Sequence, residues 1–307
     1  MEYMSNMFAR ILVGIDDTDA SQAALGLAVR LAREHGSELV LCNSVDWLPI
    51  VSESASTGEM IDTTPIIDDL KAEGLAVLDR AAEVVKSAGI VAQKRALEGE
   101  PARQVLETAV DANCSLIIIG THDRHGLDHL FMGSTTAGVL RGSMIPVLTV
   151  RSGAKTAPET RRCFEHILVG IDESEPSEAA IQTVLDLPAE DRAHVSFYSV
   201  APGGSDANEQ AQRVVGKAVA AAEGRGISAK GRVAHGDPIV GLIGAAESEA
   251  ADLVVLGSHG RRGLQHLFLG SVAEHIVRSA PVPVLVVRTR KSAPEALAAR
   301  PGAVAAS

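Results

Sequence analysis

Aromatic side chains are scarce in this chain of 307 residues: five Phe, two Tyr and one Trp make up only 3% of it. Its cores must therefore be built from Val, Ile, Leu and Ala, a palette that suits parallel strands buried under helices. Cysteine is equally sparse. Cys42, Cys114 and Cys163 lie far apart with no CxxC spacing, which argues against a disulfide scaffold or a cysteine zinc site and for reduced thiols. No apolar run approaches the roughly 20 residues that span a bilayer. Met1 to Arg10 lacks the apolar stretch of a secretion signal, so a cytoplasmic location is expected and no membrane partner. Positive charge is in deficit, 28 Lys and Arg against 39 Asp and Glu, for a net charge of −11. Broad nucleic-acid binding needs clustered cations and is not expected. A small anion can still bind to backbone N–H groups at a helix start. The signatures of several enzymes are missing too: no GxSxG elbow, no GxxxxGK[ST] loop and no GxGxxG after the first strand. No catalytic residue is assigned.

What is present is a repeat. Ile11-Leu-Val-Gly-Ile-Asp16 recurs as Ile167-Leu-Val-Gly-Ile-Asp172, an offset of 156. Gly99-Glu-Pro101 recurs as Gly236-Asp-Pro238, and His129-Leu-Phe-Met-Gly-Ser134 as His266-Leu-Phe-Leu-Gly-Ser271. Pro146-Val-Leu-Thr-Val-Arg151 recurs as Pro283-Val-Leu-Val-Val-Arg288; these last three share an offset of 137. The second copy is therefore shorter by 156 − 137 = 19 residues. The difference falls at Asp46 to Pro65, a Ser-, Thr-, Glu- and Asp-rich stretch expected to be a long loop.

Each copy alternates short apolar runs with longer amphipathic ones. In the first, strands are expected at Ile11–Ile15, Glu38–Val45, Val91–Ala96, Leu116–Gly120 and Val147–Val150, and helices at Ser21–Glu34, Ile67–Ser87, Ala102–Asp111 and Gly133–Arg141. Pro101 and Pro238 stand where helices should begin, the position at which proline costs least. The expected fold is α/β: two doubly wound domains in tandem, each a five-stranded parallel sheet flanked by helices. Residues 1–152 form the first domain, 153–163 a polar linker, 164–290 the second domain, and 291–307 an Ala- and Pro-rich tail expected to be disordered. In such sheets ligands sit at the carboxyl ends of the strands, where strand order reverses.

The strongest local signal is Gly257-Ser-His-Gly260, nine residues, then Gly270-Ser271, between the strand Leu253–Leu256 and a helix Ser271–Arg278. Glycines let the backbone approach a ligand, and the amides of Gly270, Ser271 and Val272 would face a phosphate at the helix start. Taken alone, such glycines merely close a turn and Ser271 merely caps a helix. Asp16 and Asp172 are open to an equally plain reading, as turn formers at helix starts. His122, His125 and His129 fall close together, but lack the i, i+4 spacing of a helical zinc pair, and no metal site is assigned to them.

The pattern Gly-x2-Gly-x9-Gly-Ser, behind an early strand ending in Asp, resembles the universal stress proteins of the ATP-binding type in their tandem form. The resemblance runs from about Arg10 to Arg288. It implies an adenine nucleotide α-hydrolase-like fold and ATP, with Mg²⁺, as the ligand. By the resemblance the nucleotide is held in the second copy by Gly170, Asp172, Val200, Gly257, Ser258, His259, Gly260, Arg261, Gly263, Gly270, Ser271 and Val272. The matching residues of the first copy are Gly14, Asp16, Val45, Gly120, Gly126, Gly133, Ser134 and Thr135. Asp123 stands where the second copy has Gly260 and would set a negative charge beside a polyphosphate, so the first site is expected to be the weaker. The resemblance further implies pairing of the two domains through their last strands, a homodimer, and a regulatory role in a stress response. Slow ATP hydrolysis or self-phosphorylation, and a scaffold without nucleotide, are the alternatives.

Overall fold

A computed structural model describes residues 7–56, 62–121, 132–158, 160–188, 191–192, 194–201, 203–259 and 269–289. The first copy contains β1 (Arg10–Gly14), α1 (Asp19–His35), β2 (Glu38–Val45), α2 (Leu48–Ser56), α3 (Thr64–Ser87), β3 (Ala92–Glu98), α4 (Pro101–Asp111), β4 (Leu116–Thr121), α5 (Ser134–Gly142) and β5 (Val147–Arg151). The second contains β6 (His166–Gly170), α6 (Glu175–Leu185), β7 (His194–Ala201), α7 (Ser205–Glu223), β8 (Ala229–His235), α8 (Pro238–Ser248), β9 (Leu253–Gly257), α9 (Ser271–Ser279) and β10 (Val284–Val287). The expected alternation is borne out, with boundaries shifted by at most three residues. Pro101 and Pro238 do open α4 and α8, behind Glu100 and Asp237, whose carboxylates accept first-turn amides. The stretch expected to be a loop is corrected. Part of it is helix α2, in which Leu48 and Val51 stay exposed, so these apolar residues marked no buried stripe.

The ten strands of the described residues join one sheet in the order β3-β2-β1-β4-β5-β10-β9-β6-β7-β8. Within each half every pairing is parallel. The halves meet through β5 and β10, which run antiparallel with Leu148 opposite Leu285. These two leucines are equivalent residues of the repeat (offset 137), so a pseudo-twofold axis passes between them. The expected pairing of the domains through their last strands is thus seen in the sheet itself. The Thr149 hydroxyl reinforces the seam by donating to the Val284 carbonyl at 3.1 Å.

Helices cover both faces, which is why the central strands are apolar without alternation: Ile11, Leu12 and Val13 are all fully buried, as are Ile167, Leu168 and Val169. One apolar layer lies beneath α1, α3, α6 and α7, the other beneath α4, α8 and α9, and each runs through both copies. Burial of each such side chain favours folding by about 1.5–3 kcal/mol. Cys42, Cys114 and Cys163 are buried thiols, and loss of solvent pushes Cys42 and Cys114 up to about 11. Among the described residues no helix is long and apolar enough to cross a membrane. The 291–307 tail lies outside the described residues.

Candidate functional site

The strand order reverses between β1 and β4, and again between β6 and β9. At each reversal the first strand ends in a short turn built the same way. The Thr18 amide donates to Asp16 Oδ1 at 3.0 Å, the Ser21 amide to Thr18 Oγ1 at 3.1 Å, and the Asp16 amide to Ser21 Oγ at 2.9 Å. In the second copy the Ser174 amide donates to Asp172 Oδ1 at 2.9 Å, the Ser177 amide to Ser174 Oγ at 3.3 Å, and the Asp172 amide to Ser177 Oγ at 2.9 Å. Each aspartate thus forms the turn that starts α1 or α6, as the plain reading holds. Asp16 also faces a cavity.

That cavity, about 880 Å³, opens at the carboxyl ends of the first-copy strands. Its wall joins the β1–α1 turn (Asp16, Asp17, Thr18), the end of β2 (Asn43, Val45), α3 (Glu73, Gly74), Thr121 of β4 and Arg151 of β5. The position is the one the topology predicts for a ligand. Of the first-copy residues predicted from the sequence, Asp16 and Val45 are in this wall, while Gly14, Gly120, Gly133, Ser134 and Thr135 are not among its lining residues. Gly126 falls outside the described residues, as do Gly260, Arg261, Gly263 and the residues Asp123, His122, His125 and His129.

The glycines have separate reasons to be glycine. A Cβ on Gly120 would lie 2.6 Å from the Ala20 carbonyl carbon, and one on Gly257 would lie 2.6 Å from that of Pro176. These two are needed where a strand end passes against the first turn of α1 or α6. Gly170 is pressed by Leu256 and Leu242, and Gly14 more loosely by Ile119. Gly133 and Gly270 are the N-cap residues of α5 and α9, and among the described residues no side chain caps either helix. The first-turn amides beyond them have no intrahelical acceptor, which makes each start an anion-attracting end. One expectation is corrected here. The Gly270 amide is not turned towards a ligand but donates to the Ser258 carbonyl at 2.8 Å, tying the start of α9 to the residue after β9. Ser258 is fully buried, with its hydroxyl 3.1 Å from His259 Nδ1, and the Ser174 hydroxyl reaches the His259 carbonyl at 3.2 Å. Ser271 and Val272 stand in the first turn of α9, and Val200 lies in β7 beside Ala234 of β8. The Val45 carbonyl accepts the Gly99 amide at 3.0 Å.

The profile of the universal stress protein family matches residues 7–151 and again 164–288. The chain belongs to the universal stress protein family. A tandem universal stress protein of Mycolicibacterium smegmatis is 27% identical over 299 residues, covering 91% of this chain and 97% of the relative. The single-domain universal stress protein YxiE of Bacillus subtilis is 36% identical over 149 residues, 47% of this chain and all of the relative. The crystal structure of a universal stress protein from Archaeoglobus fulgidus shares the fold, with a TM-score of 0.73 over 93% of this chain and 97% of that one, at 20% identity.

Within this tandem universal stress protein the structure adds residues that sequence reasoning passed over. Among the described lining residues five carboxylates (Asp16, Asp17, Asp19, Asp46 and Glu73) face one guanidinium, that of Arg151. Arg151 closes the repeated Pro-Val-Leu-x-Val-Arg block, and that recurrence was its visible signal. Its guanidinium donates to the Ala280 carbonyl at 3.1 Å, where α9 of the other copy ends. The repeat-equivalent Arg288 donates to Leu140 of α5 at 3.4 Å, and burial holds it below its ordinary value. Outside the wall, Glu98 at the end of β3 holds Lys71 of α3 and the Trp47 indole N–H, each at 2.8 Å; these two bonds keep its carboxyl below the usual range. They clasp the chain entering α2 against α3 and β3.

Proposed function

We propose that this protein is an ATP-binding regulator of a stress response, cytoplasmic, with nucleotide held at the carboxyl ends of its parallel strands. The observation that carries the reading is the cavity of about 880 Å³ at the β1/β4 reversal, with Asp16 and Val45 in its wall. In its favour too are the starts of α5 and α9, one in each copy, which no side chain among the described residues caps. Five carboxylates in one wall would repel a bare polyphosphate, so the ligand enters that site with a divalent cation, Mg²⁺ by preference for phosphate and carboxylate oxygens. Asp16, Asp17 and Asp46 have the chemistry to hold such a cation. In the second copy Asp172, Ser271 and Val272 take the corresponding parts, together with the loop carrying Gly260, Arg261 and Gly263.

A homodimer has to use surfaces other than β5 and β10, since those strands already pair with each other. The test is the nucleotide content of the purified full chain, measured after denaturation, with an Asp123→Gly variant alongside. Adenine nucleotide in the unaltered chain, rising towards two per chain in the variant, is the expected result. No nucleotide in either, and none taken up from ATP with Mg²⁺, overturns the reading.

A further inference from the structure

On the sheet face opposite α4, α5, α8 and α9, the two halves meet at the C-terminal end of α1. There His35 Nε2 of the first copy lies 3.3 Å from Asp191 Oδ2 of the second. The two residues are related by the repeat offset, 191 − 35 = 156, so this contact too lies where the pseudo-twofold relation brings equivalent positions together. Glu34 completes the group. One donor atom from each of Glu34, His35 and Asp191 lies within 4.8 Å of the other two, and no other set of three such residues does so among the described residues. The geometry points to a transition-metal site of the zinc class at this junction, with Glu34, His35 and Asp191 as ligands from both domains.

Four features carry that inference. The ligand types are right, since imidazole and carboxylate oxygens together favour zinc and its neighbours over magnesium or calcium. The His35–Asp191 separation matches the edge of a tetrahedron with bonds of about 2.0–2.1 Å, roughly 3.3–3.4 Å. The place is buried and electrostatically suited: the side chains of His35 and Asp191 are 7% and 1% exposed. Both ligands Glu34 and His35 sit in the last turn of α1, where the helix carbonyls favour a cation. Finally, each ligand is positioned by a neighbouring group, as metal ligands are. Phe8 stacks on the His35 ring with centroids 4.3 Å apart. Arg162 Nη1 lies 3.2 Å from Asp191 Oδ1, leaving Oδ2 turned towards His35. The Cys163 amide donates to both Glu34 carboxylate oxygens, at 3.1 and 3.2 Å. A bound ion would fasten the two domains on the face away from α5 and α9, and its fourth ligand would be water.

Zinc is the probe. The full chain, stripped with a chelator, is titrated with Zn²⁺ against a competing chromogenic chelator. One tight equivalent per chain is expected, about 100-fold weaker in His35→Asn and about 10-fold weaker in Arg162→Gln. Tight binding that survives His35→Asn but disappears when His122, His125 and His129 are changed to Asn places the ion on those histidines and overturns the proposal. So does the absence of stoichiometric binding, which leaves His35 and Asp191 as a plain ion pair. Should His35→Asn fail to fold, crystals of the unaltered chain soaked in Zn²⁺ decide the matter at the zinc absorption edge. An anomalous peak between Glu34, His35 and Asp191 upholds the site, and none there overturns it.

Discussion

The two halves share one topology yet differ in chemistry at both ends of their strands. At the amino ends, the paired positions Arg10 and Glu38 of β1 and β2 form an ion pair, Nε to Oε2 at 2.9 Å. The same register in the second copy holds His166 and His194, two imidazoles with ring centroids 5.4 Å apart. At the carboxyl ends, Gln210 of α7 donates its amide to Glu173 beside the α6 start. The repeat-equivalent residues of the first copy are Glu73 (offset 137) and Asp17 (offset 156), two carboxylates that cannot make that bond. Both line the cavity instead. Duplication has therefore kept the backbone scheme and left the edges of each site to diverge.

The largest expected effect tests what the halves share. Gly120→Ala and Gly257→Ala each drive a Cβ to within 2.6 Å of a helix backbone. Each should cost about 1–3 kcal/mol or more in urea unfolding, with or without nucleotide. A substitution that harms nucleotide binding while sparing stability would instead assign these glycines a ligand role. Next come the caps. Thr18→Ala and Ser174→Ala should each cost about 1 kcal/mol, because both hydroxyls accept a first-turn amide of their helix. A large inequality between the two would break the symmetry of the turns.

The remaining effects separate the halves. Burial, followed by the Lys230 and His194 charges, holds His166 below its ordinary 6.5. Below that pH the unfolded chain takes up a proton that the native imidazole resists, so stability falls as pH falls from about 6.5 towards the lower native value. Replacing His166 with Arg and His194 with Glu, the pair used by the first copy, should flatten that decline in a pH series of thermal melts. Glu249 adds a second, lower acid step. Burial alone would raise it, but bonds from Ser196, Lys230 and Arg232 outweigh burial and bring it below 4.5. Its contribution is present above 4.5 and lost as pH drops through the native value; Ala112 is the first-copy counterpart and has none. The smallest effect belongs to the mouths of the sites. Gln210→Glu should weaken the second domain by less than about 1 kcal/mol, since the bond is exposed. Glu73→Gln should strengthen nucleotide uptake by the first, read as a lower Mg²⁺ requirement.

Much of this was legible in the chain. The repeated Ile-Leu-Val-Gly-Ile-Asp strand, the prolines at helix starts and the apolar last strands each carry a short-range physical signal, and all fell where expected. What was not legible depends on distance. The steric role of Gly120 and Gly257 was hidden because the helix turns they touch are far away in sequence. The Gly270 amide read as open because its acceptor, Ser258, lies twelve residues earlier in the chain. Helix α2 escaped because Leu48 and Val51 bury no face. His35 and Asp191 sit 156 residues apart, and no local motif could join them.

The seam between β5 and β10 also has a history written into its order of synthesis. Arg151 ends β5, and 132 residues are added before Val284 begins β10. At about 5–20 residues per second, that is roughly 7–26 seconds on the ribosome. Throughout that interval the nascent first half presents the bare edge of Val147 to Val150, three of whose four side chains are apolar. Because Leu148 pairs with its own equivalent in the finished sheet, a neighbouring nascent chain offers the same edge in the same register. Polysome spacing and translation rate thus bear on whether the first partner of β5 is its own chain or another.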